Sequence, residues 1–376
     1  MKYCINCFYP NTKPDLAFNK DGLCAACISF EKRRKINWKE REKEFIKIIN
    51  IVKKKSNDYD CVVPVSGGKD STSQVIKSLE YGLKPLCVNV RTCNLSPLGR
   101  KNLDNITKLG VDLIEIAPNP TVRKKLNKIG LFEVGDISWP EHLGIFTIPI
   151  NIAVKFNIQF ILWGENSQNE YGGPISATYN KYLERSWLEE FGGLLGLRVD
   201  DIFNHYEIKK EDLALYMYPS IEKIKKINLK SMFMGYFFPW NGYENAILAK
   251  KNGFLYYEKL VEGTGVSYEN LDNYQTGIHD YFKYLKYGFG RTTDIMNNLL
   301  RRKIISKKAA KGIIKKYDGN FPHTYLGKKI VEILEEINVS MDEFIKCCDQ
   351  FTNKKLFKCD NQNKLIKKKF NVIRNF

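Results

Sequence analysis

Apolar residues first gather at 61–65, where Cys61, Val62, Val63 and Val65 form a short β-branched run that reads as a buried strand. The run stops at Gly67 and Gly68, and Asp70 and Ser71 then open a helix over 71–81 that Gly82 ends. Strand and helix alternate after that: strands at 85–90, 111–116 and 160–163, helices at 101–109, 122–129 and 141–156. This order predicts an α/β fold, a parallel sheet with helices on both faces that binds ligand at the carboxyl ends of its strands. Upstream, Trp38, Phe45, Ile46, Ile49 and Ile51 recur at helical spacing, and Glu40, Glu42 and Glu44 break the basic face, so this segment reads as a packing helix. Beyond 184 the strand signals fade and a mainly helical region begins. Its aromatic stretch 231–241 reads either as the lining of a substrate cleft or as plain core. Residues 328–351 read as an acidic amphipathic helical pair and 351–376 as a basic tail. The domains expected are 1–30, a linking helix at 31–57, a nucleotide domain at 58–183 and a helical domain with the tail at 184–376.

Composition adds a partner class. Sixty Lys and Arg against 42 Asp and Glu give a net charge of +18, which suits an anionic partner: nucleic acid, a membrane surface or a charged small substrate. A Lys-rich compositional bias would give the same number. No apolar segment follows Met1 and none approaches a membrane span, so a soluble, cytoplasmic protein is expected, with no membrane partner.

Cys4 and Cys7, then Cys24 and Cys27, make two C-x2-C knuckles at a spacing suited to one tetrahedral metal site. Turn formers between them (Pro10, Pro14, Asn19, Asp21, Gly22) fit a small ribbon built around the ion. Structural Zn²⁺ is expected, with disulfides or an iron–sulfur cluster as the alternatives.

The second chemical signal is Ser66-Gly67-Gly68-Lys69-Asp70-Ser71. Two glycines let the backbone turn sharply and approach an anion, and the following helix offers its N-terminal N–H groups. It is not a Walker A loop: Val63 stands where a glycine is needed and Asp70 follows the lysine. Arg91, after Val90 at the end of the second strand, and Gly164-Glu165-Asn166, after the fourth, should lie beside this loop. Glu165 would hold Mg²⁺ or relay protons, or simply cap a turn. Further on, His279-Asp280 offers a base beside a carboxylate, and Arg291 a fixed cation after Gly288-Phe289-Gly290.

The loop matches the S-G-G-x-D-S motif of the PP-loop ATP pyrophosphatases. Together with the cysteine quartet, Trp163-Gly164-Glu165-Asn166, Thr276-Gly277-Ile278-His279-Asp280-Tyr281 and the run 286–294, it makes the chain resemble the N-acetyl sugar amidotransferases, the group that includes WbpG and PseA. That resemblance implies ATP-dependent conversion of a sugar acetamido group to an acetamidino group, with AMP and pyrophosphate released. Ser66, Gly67, Gly68 and Ser71 would hold the pyrophosphate, Lys69 would balance its charge, and Asp70 would position Mg²⁺. His279 and Arg291 would meet an N-acetylated acidic sugar or nucleotide sugar. The implied partners are glutaminase and synthase subunits similar to those of histidine biosynthesis, in surface polysaccharide or flagellar glycan synthesis. Other readings are a tRNA-modifying PP-loop enzyme of the thiolation or lysidine type, and a non-catalytic nucleic-acid-binding module. Against the first stands the lack of a second cysteine pair near the loop, and nucleic acid is not the expected partner.

Overall fold

The computed structural model describes residues 1–358, so most of the basic tail lies outside the described residues. Five parallel strands form one sheet in the order β3-β2-β1-β4-β5: β1 (Cys61–Pro64), β2 (Pro85–Val90), β3 (Asp112–Ile116), β4 (Phe160–Trp163) and β5 (Lys230–Phe233). Alternation of side chains decides which layer each residue joins. Cys61, Val63, Phe160, Leu162 and Met232 face Phe45, Val75, Leu103 and Phe237. Val62, Val88, Ile161, Trp163 and Phe233 face Ile148, Ile152, Ala153 and Trp187 on the other side. Helices therefore cover both faces, as the alternation of elements predicts.

The helices begin where cap chemistry places them. Helix α1 (Ala25–Arg33) grows out of the second cysteine knuckle, and α2 (Trp38–Lys55) starts where the Asn37 side chain accepts from the Glu40 N–H. Gly68 is the N-cap of α3 (Lys69–Glu80), and Ser96 and Pro97 open α4 (Pro97–Thr107). Helix α5 (Pro120–Val134) stops at Gly135 in the left-handed conformation, which turns the chain to deliver Asp136 before α6 (Trp139–Lys155).

The sheet also takes in β5, residues 230–233, beyond 183 and overlapping the stretch 231–241 read as cleft lining or plain core. Lys230-Ser231-Met232-Phe233 is too short and half polar to signal a strand, but pairing with β4 along its whole length makes it one. The ribbon also packs directly on the C-terminal helices. Phe8 packs among Ile295, Met296 and Ile314, its N–H donates to Asn297 Oδ1 at 2.8 Å, and the Tyr9 hydroxyl donates to Asp294. On its other side α1 is pinned by the ion pair of Arg33 with Glu170, which also meets Arg302 at 2.8 Å. Among the described residues no helix is long and apolar enough to cross a membrane.

Candidate active site

Strand order reverses between β1 and β4, so a crevice opens there at the carboxyl ends. It is a cavity of about 660 Å³ lined by Ser66, Asp70, Ser71, Val90, Gly164 and Glu165, with Phe146, Trp163, Trp187 and Phe233 as apolar walls. That volume suits a drug-sized or nucleotide-sized ligand. Gly67 takes φ +83°, and the backbone N–H groups of Gly67, Lys69, Asp70 and Ser71 donate to no other described residue. Gly68 N–H donates to Ser66 Oγ at 3.2 Å, and the Ser71 hydroxyl donates to the Gly68 carbonyl at 3.0 Å. What results is an open row of donors at the start of a twelve-residue helix, an arrangement that receives anions.

Two residues expected at this crevice are placed differently. Lys69 is buried, paired with Asp70 and, at 2.6 Å, with Glu269, because the first residue of α3 points back toward the preceding turn and under Gly242. Its charge is already balanced by protein carboxylates. Arg91 is half-exposed and lies 3.6 Å from Glu115 on the neighbouring strand, outside the residues that line the cavity. Sequence could not show that β3 offers it a carboxylate on the outer side.

Glu165 does face the cavity. Burial first, and then the nearby Asp70 charge, push its carboxyl up to about 7. Two carboxylates sharing one polar corner suit a hard cation, and Asp70 with Glu165 would hold Mg²⁺. The raised pKa has a consequence for stability. Its contribution is complete below the ordinary carboxylate range and is lost as pH rises through about 7. Glu165→Gln should therefore be more stable than wild type at pH 8, by about 3 kcal/mol, with a difference below about 1 kcal/mol at pH 5. Thermal unfolding at the two pH values checks this, and an equal difference at both would contradict it.

The crevice continues into a second cavity of about 350 Å³ lined by Lys13, Lys283, Lys286 and Arg291 together with the carboxylates of Asp15, Asp136, Glu190 and Asp294, and His142 and His279 line both spaces. Arg291 donates to Glu269 at 3.1 Å and stacks its guanidinium 5.5 Å from the Tyr171 ring centre. Lys283 is bonded to Asp294, the same carboxylate that accepts from Tyr9. His279 Nδ1 lies 2.8 Å from Asp136 Oδ1. Although burial alone would raise the Asp136 carboxyl, His279 and His142 outweigh it and hold it well below the usual range. Sequence reasoning missed Asp136, His142, Lys283 and Lys13. The pair Asp136 and His142 was visible as an acid six residues before a histidine, but its partner His279 is 143 positions away from Asp136.

The ribbon site fits a single metal ion. Its four cysteines are buried, with Sγ atoms 3.9 Å apart for Cys4 and Cys27 and 3.7 Å for Cys7 and Cys24. A disulfide needs about 2.0 Å. A tetrahedral ion with bonds of about 2.3 Å puts its sulfurs about 3.8 Å apart. The Cys24 N–H and the Asn6 side-chain amide donate to Sγ atoms, as thiolates at a metal prefer.

Comparison with known proteins adds one assignment. Residues 262–371 match the family described as LPS biosynthesis protein WbpG-like, C-terminal domain. That stretch, which carries His279 and Arg291, is similar to this family. An uncharacterized protein of Methanocaldococcus jannaschii is 29% identical over 109 residues, which are 29% of this chain and 39% of that protein's length. Among solved structures, NMN synthetase from Francisella tularensis aligns with a TM-score of 0.27 and 13% identity, over 52% of this chain and 94% of that one. The U34-tRNA thiolase NcsA from Methanococcus maripaludis, solved with its 4Fe-4S cluster, aligns with a TM-score of 0.24 and 14% identity, over 61% and 80%. Likenesses this distant carry no weight, and the fold rests on the strand order itself.

Proposed function

We propose that this chain is an ATP-dependent amidotransferase that turns the N-acetyl group of an acidic sugar or nucleotide sugar into an acetamidino group. The observation that carries the reading is the continuity of the crevice at the Ser66–Ser71 loop with the lysine- and arginine-lined cavity, so that a nucleotide and an anionic second substrate share one space. The WbpG-like match of 262–371 supports a surface-polysaccharide sugar as that substrate.

An amide resists ammonia because its oxygen is a poor leaving group. Attack of the acetamido oxygen on the α-phosphate of ATP releases pyrophosphate and makes that oxygen part of AMP. Ammonia then adds to the carbon, loses a proton, and AMP departs with the former amide oxygen, leaving the amidine. The N–H row of the loop would receive the phosphates, with Ser66 and Ser71 beside it. Mg²⁺ on Asp70 and Glu165 would offset the charge of the departing pyrophosphate. Lys283, Lys286, Arg291 and His279 would meet the sugar acid, and the proton that ammonia loses would pass to water. The proposed metal of the ribbon is Zn²⁺, in a structural role. Ammonia would come from a glutaminase partner, since none of the ten cysteines sits in a Gly-x-Cys-x-Gly elbow.

The test is to incubate the chain with ATP, ammonium and a panel of N-acetylated acidic sugars and nucleotide sugars. A product about one dalton lighter, formed with stoichiometric AMP and pyrophosphate, is expected, and glutamine should not replace ammonium in the isolated chain. ATP turnover that responds to tRNA and to none of the sugars would overturn the reading in favour of a tRNA-modifying enzyme.

A further inference from the structure

Asp136, His142 and His279 come from three separate places: the turn after α5, the first turns of α6 and the helix Thr276–Tyr287. Each offers one ligand atom within 4.8 Å of the others. His279 Nδ1 lies 2.8 Å from one carboxylate oxygen, His142 Nδ1 lies 3.0 Å from the other, and the two rings stand edge to face at 4.9 Å. We infer that these three side chains form a second metal site, for a divalent first-row transition cation, where the nucleotide crevice meets the basic cavity.

Three features separate this from a plain carboxylate bridging two imidazoles. His142 Nδ1 is buried and pairs with Asp136 Oδ2 at 3.0 Å, yet it makes no hydrogen bond to any described residue. Space beside that same atom is kept clear by Gly193, which sits at φ +82° and whose Cβ, if it had one, would lie 3.0 Å from it. The carboxylate is also held in place independently of the imidazoles, because Oδ1 accepts from the Ser138 N–H at 2.9 Å. Two imidazoles and one carboxylate are the donor set of open-sided sites for zinc and ferrous iron, with positions left for substrate oxygen or water. His142 and His279 are both partly exposed toward the cleft, so those positions face the space between the two cavities. An ion there would take a carboxylate or phosphate oxygen of whatever anion the lysines attract. The inference does not depend on the amidotransferase reading, since it concerns the ion alone.

Cobalt titration of the full metal-depleted chain in excess Mg²⁺, which keeps the Asp70 and Glu165 corner occupied, tests it. Wild type should bind two Co²⁺ per chain: one with the intense sulfur charge-transfer absorption of the cysteine quartet, and one adding only weak visible bands. His142→Ala and His279→Ala should keep the first and weaken the second by about 100-fold or more. Because the chain has only four histidines, a measurement without variants is also available. Selective imidazole NMR should show paramagnetic Co²⁺ displacing the signals of two histidines and sparing His205 and His323. Saturation at one equivalent with all four imidazoles undisturbed would overturn the proposal, as would two equivalents of unchanged affinity in both variants.

Discussion

Replacing Gly67 by alanine should abolish pyrophosphate release from ATP and lower stability by about 2–4 kcal/mol, whereas Gly68→Ala should fold close to wild type. Both effects follow from where a Cβ would go. At Gly67 it would sit 2.7 Å from the backbone nitrogen and 2.8 Å from the Cα of Leu103, inside the first turns of α4, at a φ of +83° that side chains rarely adopt. Neither atom can step aside, since Leu103 is part of a helix and is itself buried in the core. The loop must therefore lift away from α4, and the N–H groups that face the crevice lift with it. At Gly68 the φ is negative and the nearest contact is the Ser66 hydroxyl at 3.2 Å, which can rotate. Urea unfolding and a pyrophosphate assay on the two variants separate the positions. Wild-type turnover and midpoint in Gly67→Ala would remove the loop from the chemistry.

The contrast between the glycines also shows what was legible beforehand. The motif named both as one element, because two glycines after a buried strand signal a turn toward an anion; only the packing of α4 shows that one of them is irreplaceable. Strands β1, β2 and β4 were readable because a strand covered on both faces is a continuous apolar run. β5 was not, since its four residues begin with a lysine at the sheet's end and gain their identity from pairing. The cysteine quartet was readable from spacing alone, for the chain closes that site locally. Asp136 and His142 were not, and His279 was named without them, because a cluster assembled by the turn after α5 and a helix far along the chain leaves no periodic trace. Arg91 marks a different failure: its place at a strand end was right, and Glu115 across the sheet decided where the side chain went.

Cys24→Ala should lose the ribbon metal, lower stability by about 3 kcal/mol or more, and also reduce turnover. The reason lies in the ribbon's two contacts. Lys13, Pro14 and Asp15, between the knuckles, are part of the wall of the basic cavity beside His279 and Arg291. Lys13 reaches the Gly172 carbonyl at 3.3 Å, and the Thr12 hydroxyl donates to the Tyr287 carbonyl at 2.6 Å. Gly172 is packed so closely on the knuckle that a Cβ there would lie 2.8 Å from the Ala26 nitrogen. This segment, from Glu165 to Gly173, carries Glu165 at one end and rests on the ribbon at the other. Without the ion, a ribbon of four buried cysteines and few apolar residues cannot hold that wall. Lys13→Ala removes the lysine and its bond to Gly172, so it should raise the KM for the anionic substrate about tenfold, with metal content unchanged and the urea midpoint lowered far less than in Cys24→Ala. Cys24→Ala should change all three. Full turnover in Cys24→Ala after confirmed metal loss would show that the cavity stands without the ribbon, and an unchanged KM in Lys13→Ala would leave the ribbon's contribution to the segment after β4 alone.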